Sequence, residues 1–349
     1  MRYLVKMTPL EPYAFGTDQT FAFHGVAATG KETYFVRSNM VPEQTTILGM
    51  LRYIILEMEG LLKTDFQYSP EERAKMTSCI GPESFRLSEK QKQDFGYIHE
   101  ISPLFLMDEQ DHIYIKNPFH NKDKNRFAPM EMMEEAVETS NGRIRLPKAG
   151  EYLAKEGHGN GYYDLMDGTV CKEELFRSDI VSGNRKNGKE ENQEDSLFKR
   201  EVISLKKGFS FAVYVDAECL PKSTIAYMGQ KKSAFRVTAK VTEDQPIADQ
   251  VRAHQAFAEQ KEPWFFALSD ILLSDPVQYD SFCIVEEKQI RNLETVYSAG
   301  KHVQRLKRSD RQYNLIQSGS VFHAHCPFEQ APENWCQIGY NQVIRLGGN

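Results

Sequence analysis

The segment VPEQTTILGMLRYIILEMEGLLK, residues 41–63, combines an apolar helical pattern with small and basic side chains near its start. Thr45, Gly49 and Arg52 fall within about 60° of one another on a helical wheel. The free N–H groups of a first helical turn favour an anion, and an arginine makes forked contacts with phosphate. Together with Thr46, these residues form a candidate phosphate-binding pattern.

A structural interpretation of the same residues remains open. The apolar positions recur at helical spacing, so we expect a helix that opens at Thr45 or Thr46 and ends near Lys63, with one broad face buried. A glycine inside a helix costs roughly 1 kcal/mol relative to alanine. Gly49 therefore either admits a ligand or another backbone, or packs under a neighbouring strand while Arg52 pairs with a carboxylate.

Three other segments carry the residue types that bind nucleic acid. The densest basic stretch is KHVQRLKRSDR, which contains Lys301, Arg305, Lys307 and Arg308. RNA backbone contact, docking of an acidic neighbour and a solvated loop are all open for it. The second segment is a basic turn with Gly229, Gln230, Lys231 and Lys232, before a strand that carries Arg236. In the third, backbone N–H groups at Gly319 and Ser320 could approach a base or phosphate.

Histidines suggest two further kinds of chemistry. In FHAHC, we expect His323 and His325 to share one face of a strand, with Cys326 on the other. No carboxylate or CxxC pair is adjacent, so ordinary strand histidines are favoured over zinc, and we expect no metal or cofactor. His24, in the loop FHGVAATGK, could act as a general base in RNA cleavage beside a cation such as Lys31.

Composition limits the class of protein. The 349 residues suffice for two medium domains, and 40% hydrophobic with 26% charged residues is typical of a soluble globular protein. No apolar run of about 18 residues and no signal-peptide pattern is present, which predicts a cytoplasmic protein. The six cysteines form no CxxC pair, so we expect buried reduced thiols. A net charge of −6 argues against a sequence-blind nucleic-acid coat but permits a local basic groove.

The coarse element pattern predicts an α+β protein. A strand at Arg2–Met7 runs into a Gly-, Thr- and aromatic-rich loop, and SPEE starts a second helix with a capping box. The arms Leu175–Val181 and Leu197–Leu205 flank a charged tip, as in a long β-hairpin at about 175–208. A polar stretch before Gly150 divides the chain into domains 1–150 and 151–349. We expect two ferredoxin-like modules.

Several motifs together carry a resemblance to a known family. LEPYAF, HGVA and PEQTTILGMLRYIIL resemble the N-terminal signature of the RAMP proteins of CRISPR effector complexes. The later segments IVSGNRKNG, YMGQKKSAFRV, IQSGSVFHA and IGYNQVIRLGG follow in the family's order. The chain most resembles the third subunit of the Cmr (type III-B) complex, in the Cas-five-like group. Its glycine loops carry fewer glycines and basic residues than those of several RAMP proteins.

The resemblance implies two ferredoxin-like (RRM-like) modules, no catalysis, and binding of the 5′ handle of the CRISPR RNA. It also implies contacts with the large polymerase/cyclase subunit and the backbone RAMP subunits, and indirect contact with target RNA. The expected RNA-binding residues are Arg37, Ser38, Thr45, Thr46, Gly49, Arg52, Gly229, Gln230, Lys231, Lys232, Arg236, Lys301, Arg305, Lys307, Arg308, Gly319 and Ser320. A thumb-like hairpin would wedge the guide–target duplex with Arg185, Lys186, Leu197 and Phe198.

Three alternatives remain open at this point. Some RAMP relatives are metal-independent ribonucleases that process precursor CRISPR RNA, which would make His24 a general base. The equivalent handle-binding subunit of the Csm (type III-A) complex is a second alternative. The third is a purely architectural subunit that binds protein only, against which the basic stretch at 301–311 argues.

Overall fold

A computed structural model describes residues 1–24, 32–65, 67–140, 142–151, 159, 161–171, 174–184, 197–229, 232–272, 282–291, 293–297, 304–308, 312–326 and 332–348. It describes the backbone alone at 18–24, 32–34, 183–184, 197–198, 293–297 and 304–308. Among the described residues, no helix is long and apolar enough to cross a bilayer.

Strands dominate the described fold. The helices are α1 (Gln44–Met58), α2 (Pro70–Ile80), α3 (Ile247–Ala253), α4 (Gln255–Ala258) and α5 (Glu333–Gln337). The strands of the first part are β1 (Arg2–Pro9), β2 (Phe15–His24), β3 (Glu32–Asn39), β4 (Ile98–Ile101), β5 (Phe105–Met107), β6 (Ile113–Lys116), β7 (Val137–Thr139), β8 (Gly142–Ile144), β9 (Tyr162–Asp164), β10 (Thr169–Val170), β11 (Phe176–Asn184) and β12 (Leu197–Leu205). The later strands are β13 (Ser210–Ala217), β14 (Ser223–Met228), β15 (Ser233–Val241), β16 (Trp264–Ala267), β17 (Ile271–Leu272), β18 (Cys283–Ile284), β19 (Glu287–Ile290), β20 (Leu293–Tyr297), β21 (Gln304–Arg308), β22 (Tyr313–Ile316), β23 (Val321–His323) and β24 (Val343–Leu346).

A nine-stranded antiparallel sheet forms the centre of the molecule. Its order is β10-β9-β6-β5-β13-β1-β15-β14, and β4 also pairs with β13. The predicted first strand is confirmed as β1, where Val5 lies opposite Val213 on one side and Ala239 on the other. The α+β class with mostly antiparallel sheets is therefore confirmed.

Two apolar cores pack on the opposite faces of β13. Val213 faces the first core, to which α1 contributes Ile47 and Ile54. Ala212 faces the second core, with Phe257 and Trp264 from the C-terminal part. Successive strand residues point to opposite faces of a sheet, so β13 belongs to both cores.

Helix α1 has the predicted buried face but different ends. It begins at Gln44, with Glu43 at the N-cap position, and ends at Met58 rather than near Lys63. Gly60, with φ +67°, stops it two residues later, because a left-handed glycine satisfies the last helical carbonyls. The capping box predicted for α2 is confirmed, since Ser69 and Glu72 bond reciprocally at 2.9 and 3.1 Å.

The predicted long hairpin is confirmed as β11 and β12, which pair along their whole length, whereas its tip at 185–196 lies outside the described residues. β12 also runs parallel to β3, and β3 pairs with β2. The loop expected after β1 is wrong over Phe15–His24, which forms β2. Its glycine and threonines suggested a loop, but threonine and aromatic residues also favour strands once a partner strand is available.

The C-terminal part differs from expectation in two respects. The helix predicted over IADQVRAHQAFAEQ is interrupted at His254, whose backbone is extended, so α3 and α4 are separate. The strands predicted in SGSVFHAHC and IGYNQVIRLGG are confirmed as β23 and β24, both in a sheet with β16. Among the cysteines, only Cys79 is buried, so the predicted burial of thiols is confirmed for that residue alone.

Candidate nucleic-acid interface

The start of α1 is the point at which several predicted residues come together. β3 leads directly into it, and Phe15 of β2 pairs with Asn39 at the end of β3. Gly229, with φ +73°, sits so close to Ala14 that a Cβ atom would collide with the Ala14 carbonyl oxygen. This glycine therefore holds the β14–β15 turn, with Lys232, against the β2–β3 pair.

Ser38 has a structural role at this junction. Its Oγ accepts a hydrogen bond from the Phe15 N–H and donates one to the Asn39 carbonyl, both at 2.9 Å. Its own N–H donates to Glu201 on β12 at 3.0 Å. Ser38 thus ties three strands together, whereas the side chain of neighbouring Arg37 is exposed.

A charged cluster is built around the Glu43 carboxylate at the N-cap of α1. Glu43 accepts hydrogen bonds from Asn39 at 3.1 Å, Lys288 at 2.8 Å and Tyr340 at 3.1 Å, and Lys288 also pairs with Asp270. Burial lowers the pKa of Lys288, but the two carboxylates outweigh it and hold that pKa above its ordinary value.

This carboxylate changes the predicted anion site. It places a negative charge next to the positive end of the helix dipole, where a phosphate was expected. Thr45 and Thr46 are partly buried in this first turn. Any attraction of an anion to α1 would therefore have to come from Arg52 rather than from the N–H groups of the first turn.

Arg52 carries a charge that the described chain does not neutralise. Its side chain is largely buried, and that burial lowers its pKa. Its Nε has no hydrogen-bond partner, and no carboxylate of the described residues lies within salt-bridge distance. The structural interpretation, in which Arg52 pairs with a carboxylate, is therefore not supported.

Gly49, one turn before Arg52, faces open space. It is exposed, and apart from its own helix backbone no atom lies within 4 Å of the position that a Cβ would occupy. The alternative that Gly49 packs under a neighbouring strand is therefore wrong. Tyr53, one turn after Gly49, is 43% exposed on the same side of the helix as Gly49.

The β14–β15 hairpin adds further exposed groups near the start of α1. Lys232 is exposed and has a left-handed backbone, with φ +56°. Arg236 is exposed on β15, opposite Thr8 and Ile225 in the neighbouring strands, but it faces away from α1, because Phe235 and Val237 on either side of it belong to the core that α1 covers. Gln230 and Lys231 lie outside the described residues.

Gly319 and Ser320 are structural, which corrects their predicted contact with a ligand. The Gly319 N–H donates to the Ala267 carbonyl at 2.9 Å, and a Cβ at this residue would lie 2.6 Å from the ring of Phe119. Ser320 is completely buried, and its N–H bonds to the Gln317 carbonyl at 3.3 Å. Neither N–H group is therefore available to a base or a phosphate.

Several predicted residues lie at the edges of what the structure describes. Arg305, Lys307 and Arg308 belong to β21, whose backbone pairs with β20, and Lys307 is opposite Glu294. Leu197 and Phe198 begin β12, and His24 ends β2, each with only its backbone described. Lys301, Arg185 and Lys186 fall outside the described residues, so their roles stay predictions.

The histidines of FHAHC do not form a shared face. His323 ends β23, is 2% exposed, and bonds through Nε2 to Glu262 at 2.9 Å. Ala324 then turns the chain with φ +62°, which leaves His325 exposed. The expected common face is wrong, whereas the interpretation of His323 as an ordinary strand histidine is confirmed.

Within the described ranges, one other cluster has metal-like proximity. His112 Nδ1 lies 2.9 Å from Asp164, with Asp167 beside it. The hydrogen bond to Asp164 raises the pKa of His112, which favours an imidazolium–carboxylate pair. The other oxygen of Asp164 accepts the Met166 N–H at 2.7 Å, so this group closes a turn.

Comparisons with known proteins place the chain in a family. No curated protein matches its sequence. The structure is similar to one titled "Cryo-EM structure of the Type III-B Cmr-beta bound to cognate target RNA", with a TM-score of 0.52, 14% identity and coverage of 99% of this chain and 98% of that chain. A second structure, of the same complex also with AMPPnP, has a TM-score of 0.52 and 14% identity, with 99% and 96% coverage. These matches show a common fold. The sequence model of the family described as "CRISPR-associated protein (Cas_Cmr3)" matches residues 5–256, so the chain belongs to this family, as its motifs indicated.

Proposed function

We propose that the chain is a non-catalytic subunit of a type III CRISPR effector complex and binds the 5′ handle of the CRISPR RNA. Membership of the Cas_Cmr3 family supports this class of function. The similar structure is named as a type III-B Cmr complex with target RNA, which favours the Cmr subtype over Csm. The arrangement of its strands as two ferredoxin-like modules is part of this proposal.

Arg52 is the observation that carries the proposal. The Nε of Arg52 is buried without a hydrogen-bond partner, which is unfavourable because that N–H has lost water without gaining an acceptor. A phosphate group would supply the missing charge and a forked hydrogen bond to Nε and Nη. The open space at Gly49 lets an RNA backbone approach α1 closely at that point.

Neighbouring cations extend this site. Arg37 and Lys232 are exposed and belong to a strand and a turn that lead to the start of α1, whereas Arg236 faces away from α1 on the other side of the sheet. Single-stranded RNA is bound by such cationic surfaces together with aromatic side chains that stack on its bases. Tyr53, which is 43% exposed on α1, is available for stacking.

The remaining contacts follow from the family resemblance. The hairpin of β11 and β12 would act as the thumb at the guide–target duplex, with Arg185, Lys186, Leu197 and Phe198. The basic stretch with Lys301, Arg305, Lys307 and Arg308 would contact RNA or dock the large polymerase/cyclase subunit.

The test is binding of the full chain to a labelled RNA that carries the CRISPR repeat 5′ handle. Arg52→Ala removes the charge, Arg52→Lys keeps it without the fork, and Arg143→Ala is the matched control. Arg143 is also an arginine but is 70% exposed and pairs with Glu138 at 3.0 Å. We expect Arg52→Ala to weaken binding about tenfold or more, since a charge-assisted hydrogen bond contributes about 1.5–3 kcal/mol. Arg143→Ala should change affinity little.

A salt titration separates a phosphate contact from a fold defect. Each phosphate contact to a single strand contributes about −0.7 to the slope of log K against log salt. Arg52→Ala should therefore flatten the slope, whereas a partly unfolded variant would lose active fraction at every salt concentration. Equal effects of Arg52→Ala and Arg143→Ala would reject the site. Cleavage of the RNA that His24→Ala abolishes would replace the proposal with the ribonuclease.

A further inference from the structure

Three side chains that can ligate a metal meet where the β5–β6 and β9–β10 turns lie side by side. His112 comes directly before β6, Asp164 ends β9, and Asp167 lies in the turn that leads to β10. The pairing of β6 with β9 brings the two turns together. One imidazole nitrogen of His112 and one carboxylate oxygen of each aspartate all lie within 4.8 Å of one another. None of the three residues belongs to the proposed RNA site.

The distances within this cluster match the ligand sphere of a single cation. Nδ1 of His112 lies 2.9 Å from Oδ2 of Asp164 and 3.9 Å from Oδ2 of Asp167. For a cation with ligand bonds of about 2.1 Å, adjacent ligand atoms lie about 3 Å apart and opposite ones about 4 Å apart. The side chain of Asp167 is 62% exposed and can adjust its position. One cation can therefore contact all three atoms without a change in the backbone.

Hydrogen bonds from outside the cluster fix the orientation of its members. Asp164 is 3% exposed, and its Oδ1 accepts two backbone N–H groups of the β9–β10 turn at 2.7 and 3.2 Å. Its Oδ2 is thereby held towards His112. Asp108 accepts the backbone N–H of His112 at 2.9 Å and the Tyr114 hydroxyl at 3.0 Å. Such outer-shell hydrogen bonds orient the ligands of metal sites in proteins.

The charges of the cluster also favour a cation. Asp108, Asp164 and Asp167 are three carboxylates, and His112 is the one basic side chain that pairs with any of them within the described ranges. A buried carboxylate such as that of Asp164 is costly unless a partner offsets its charge. One imidazole carries at most a single positive charge, which leaves an excess of negative charge that a divalent cation would balance.

The donor atoms indicate which cation fits. An imidazole nitrogen suits the first-row transition metals better than Mg²⁺ or Ca²⁺, which prefer oxygen ligands alone. Zn²⁺ accepts histidine nitrogen and aspartate oxygen at nearly the same bond length. The exposed side of Asp167 gives the ion a path from solvent and leaves room for water as a further ligand.

We infer that His112, Asp164 and Asp167 bind one divalent transition-metal cation, of which Zn²⁺ fits the donors best. The bound ion would tie the β5–β6 turn to the β9–β10 turn. The sequence pattern did not indicate this site, because His112 and Asp164 are 52 residues apart along the chain. No RNA takes part, so the inference does not depend on the proposed function.

The test is Zn²⁺ binding by the full chain, freed of metal with a chelator and titrated calorimetrically at mildly alkaline pH. His112→Asn keeps an amide N–H for Asp164 but removes the ring nitrogen, and Asp167→Asn removes an exposed carboxylate with little effect on the fold. His99→Asn and Asp179→Asn are the matched controls, since both residues are exposed and lie outside the cluster. We expect one Zn²⁺ per chain. Its affinity should fall about tenfold or more in each site variant, because even outer-shell changes cost about that much.

Co²⁺ provides a second readout, because the six cysteine thiols are alternative zinc ligands. Co²⁺ bound by nitrogen and oxygen atoms absorbs in the visible, whereas thiolate ligands add a strong near-ultraviolet band. We expect visible absorption without the thiolate band, and its loss in His112→Asn. Zn²⁺ should also raise the melting temperature of the wild type and of both controls, but not that of the site variants.

The outcomes that would overturn the site are distinct. They are a wild-type chain that binds no Zn²⁺, wild-type affinity in either His112→Asn or Asp167→Asn, and a thiolate band that accounts for the bound Co²⁺. An equal rise of the melting temperature in all variants would overturn it as well. Each result is obtained without RNA, so failure of this inference leaves the handle-binding proposal to its own test.

Discussion

Buried cations of this protein differ in whether the chain itself neutralises them. Lys288 has two carboxylate partners, so its charge is stable in place. Arg52, in the middle of α1, is largely buried without a carboxylate partner among the described residues, and its Nε has no hydrogen-bond partner. Since an unpaired buried polar group is costly, its position indicates where a ligand would stabilise the fold.

His120 makes the stability of the protein sensitive to acid. Its ring is completely buried, stacks on Trp264 at 4.5 Å and contacts Gln260 at 3.1 Å. Burial is the main cause that lowers the pKa of His120 to about 3. The unfolded chain binds this proton near pH 6.5, so the unfolded state gains stability as the pH falls below that value.

We expect the free energy of unfolding to fall between pH 6.5 and pH 5, with His120 contributing up to about 1.4 kcal/mol per pH unit. His120→Gln keeps a polar group for Gln260 but takes up no proton, so its slope should be smaller by about that amount. Urea unfolding at several pH values measures both slopes. His254 and His323, whose pKa values burial also lowers, remain in the variant and serve as an internal control. Identical slopes would contradict the assignment.

At the scale of elements, the features that local sequence specifies were predicted well. The apolar period located α1, SPEE located the start of α2, and the two arms located β11 and β12. The cluster of Glu43, Lys288 and Tyr340 could not be found this way, because its members lie 245 and 297 residues from Glu43 along the chain.

The site itself was predicted less accurately than the elements. Gly319 resembled a ligand-binding glycine, but its positive φ and its proximity to Phe119 are requirements of internal packing. Gly49 shows the opposite case, since nothing inside the chain requires a glycine there. A sequence pattern cannot separate these cases, because both glycines lack a side chain and only their surroundings differ.

Two glycine-to-alanine substitutions test whether the fold itself requires the glycine. One is at Gly49 in α1, and the other is at Gly339, which packs against Gln44 of α1. Gly49→Ala should raise the free energy of unfolding by up to about 1 kcal/mol, because alanine favours the helix and the space is open. Gly339→Ala should lower it, because this residue has φ +91° and a Cβ would collide with Gln44 and the Ser102 carbonyl. Chemical denaturation of both variants gives the comparison.

The RNA affinity of the Gly49→Ala variant, measured together with its stability, separates a role of Gly49 in folding from a role in binding. If RNA approaches α1 closely at Gly49, the stabilised Gly49→Ala variant should bind the handle RNA several-fold more weakly than the wild type. Gain of stability with loss of affinity would be the signature of a glycine kept for a ligand. Unchanged affinity in a stabilised Gly49→Ala protein would show that the clearance has no role in binding.

At the scale of the whole molecule, the central sheet crosses the domain boundary predicted near residue 150. Strand β1 of the first segment lies between β13 and β15 of the second. Without these neighbours, Tyr3, Val5 and Met7 would lose the strands that shield their backbone on both sides. The two segments therefore depend on each other for the central sheet, even though each contributes its own helices.

The two tryptophans report on the two cores separately, which allows a test of this dependence. Trp335 is completely buried in the first core, and its Nε1 donates to the Leu87 carbonyl at 3.1 Å. Trp264 is 2% exposed in the second core.

Because β13 belongs to both cores, we expect the chain to unfold as one cooperative unit. Trp264→Phe and Trp335→Phe variants should then each give fluorescence and far-ultraviolet circular dichroism midpoints that coincide in urea. Each variant is compared with its own circular dichroism curve, since either substitution lowers stability. A Trp264 transition that separates from the circular dichroism transition in Trp335→Phe would mean that the second core unfolds independently of the first.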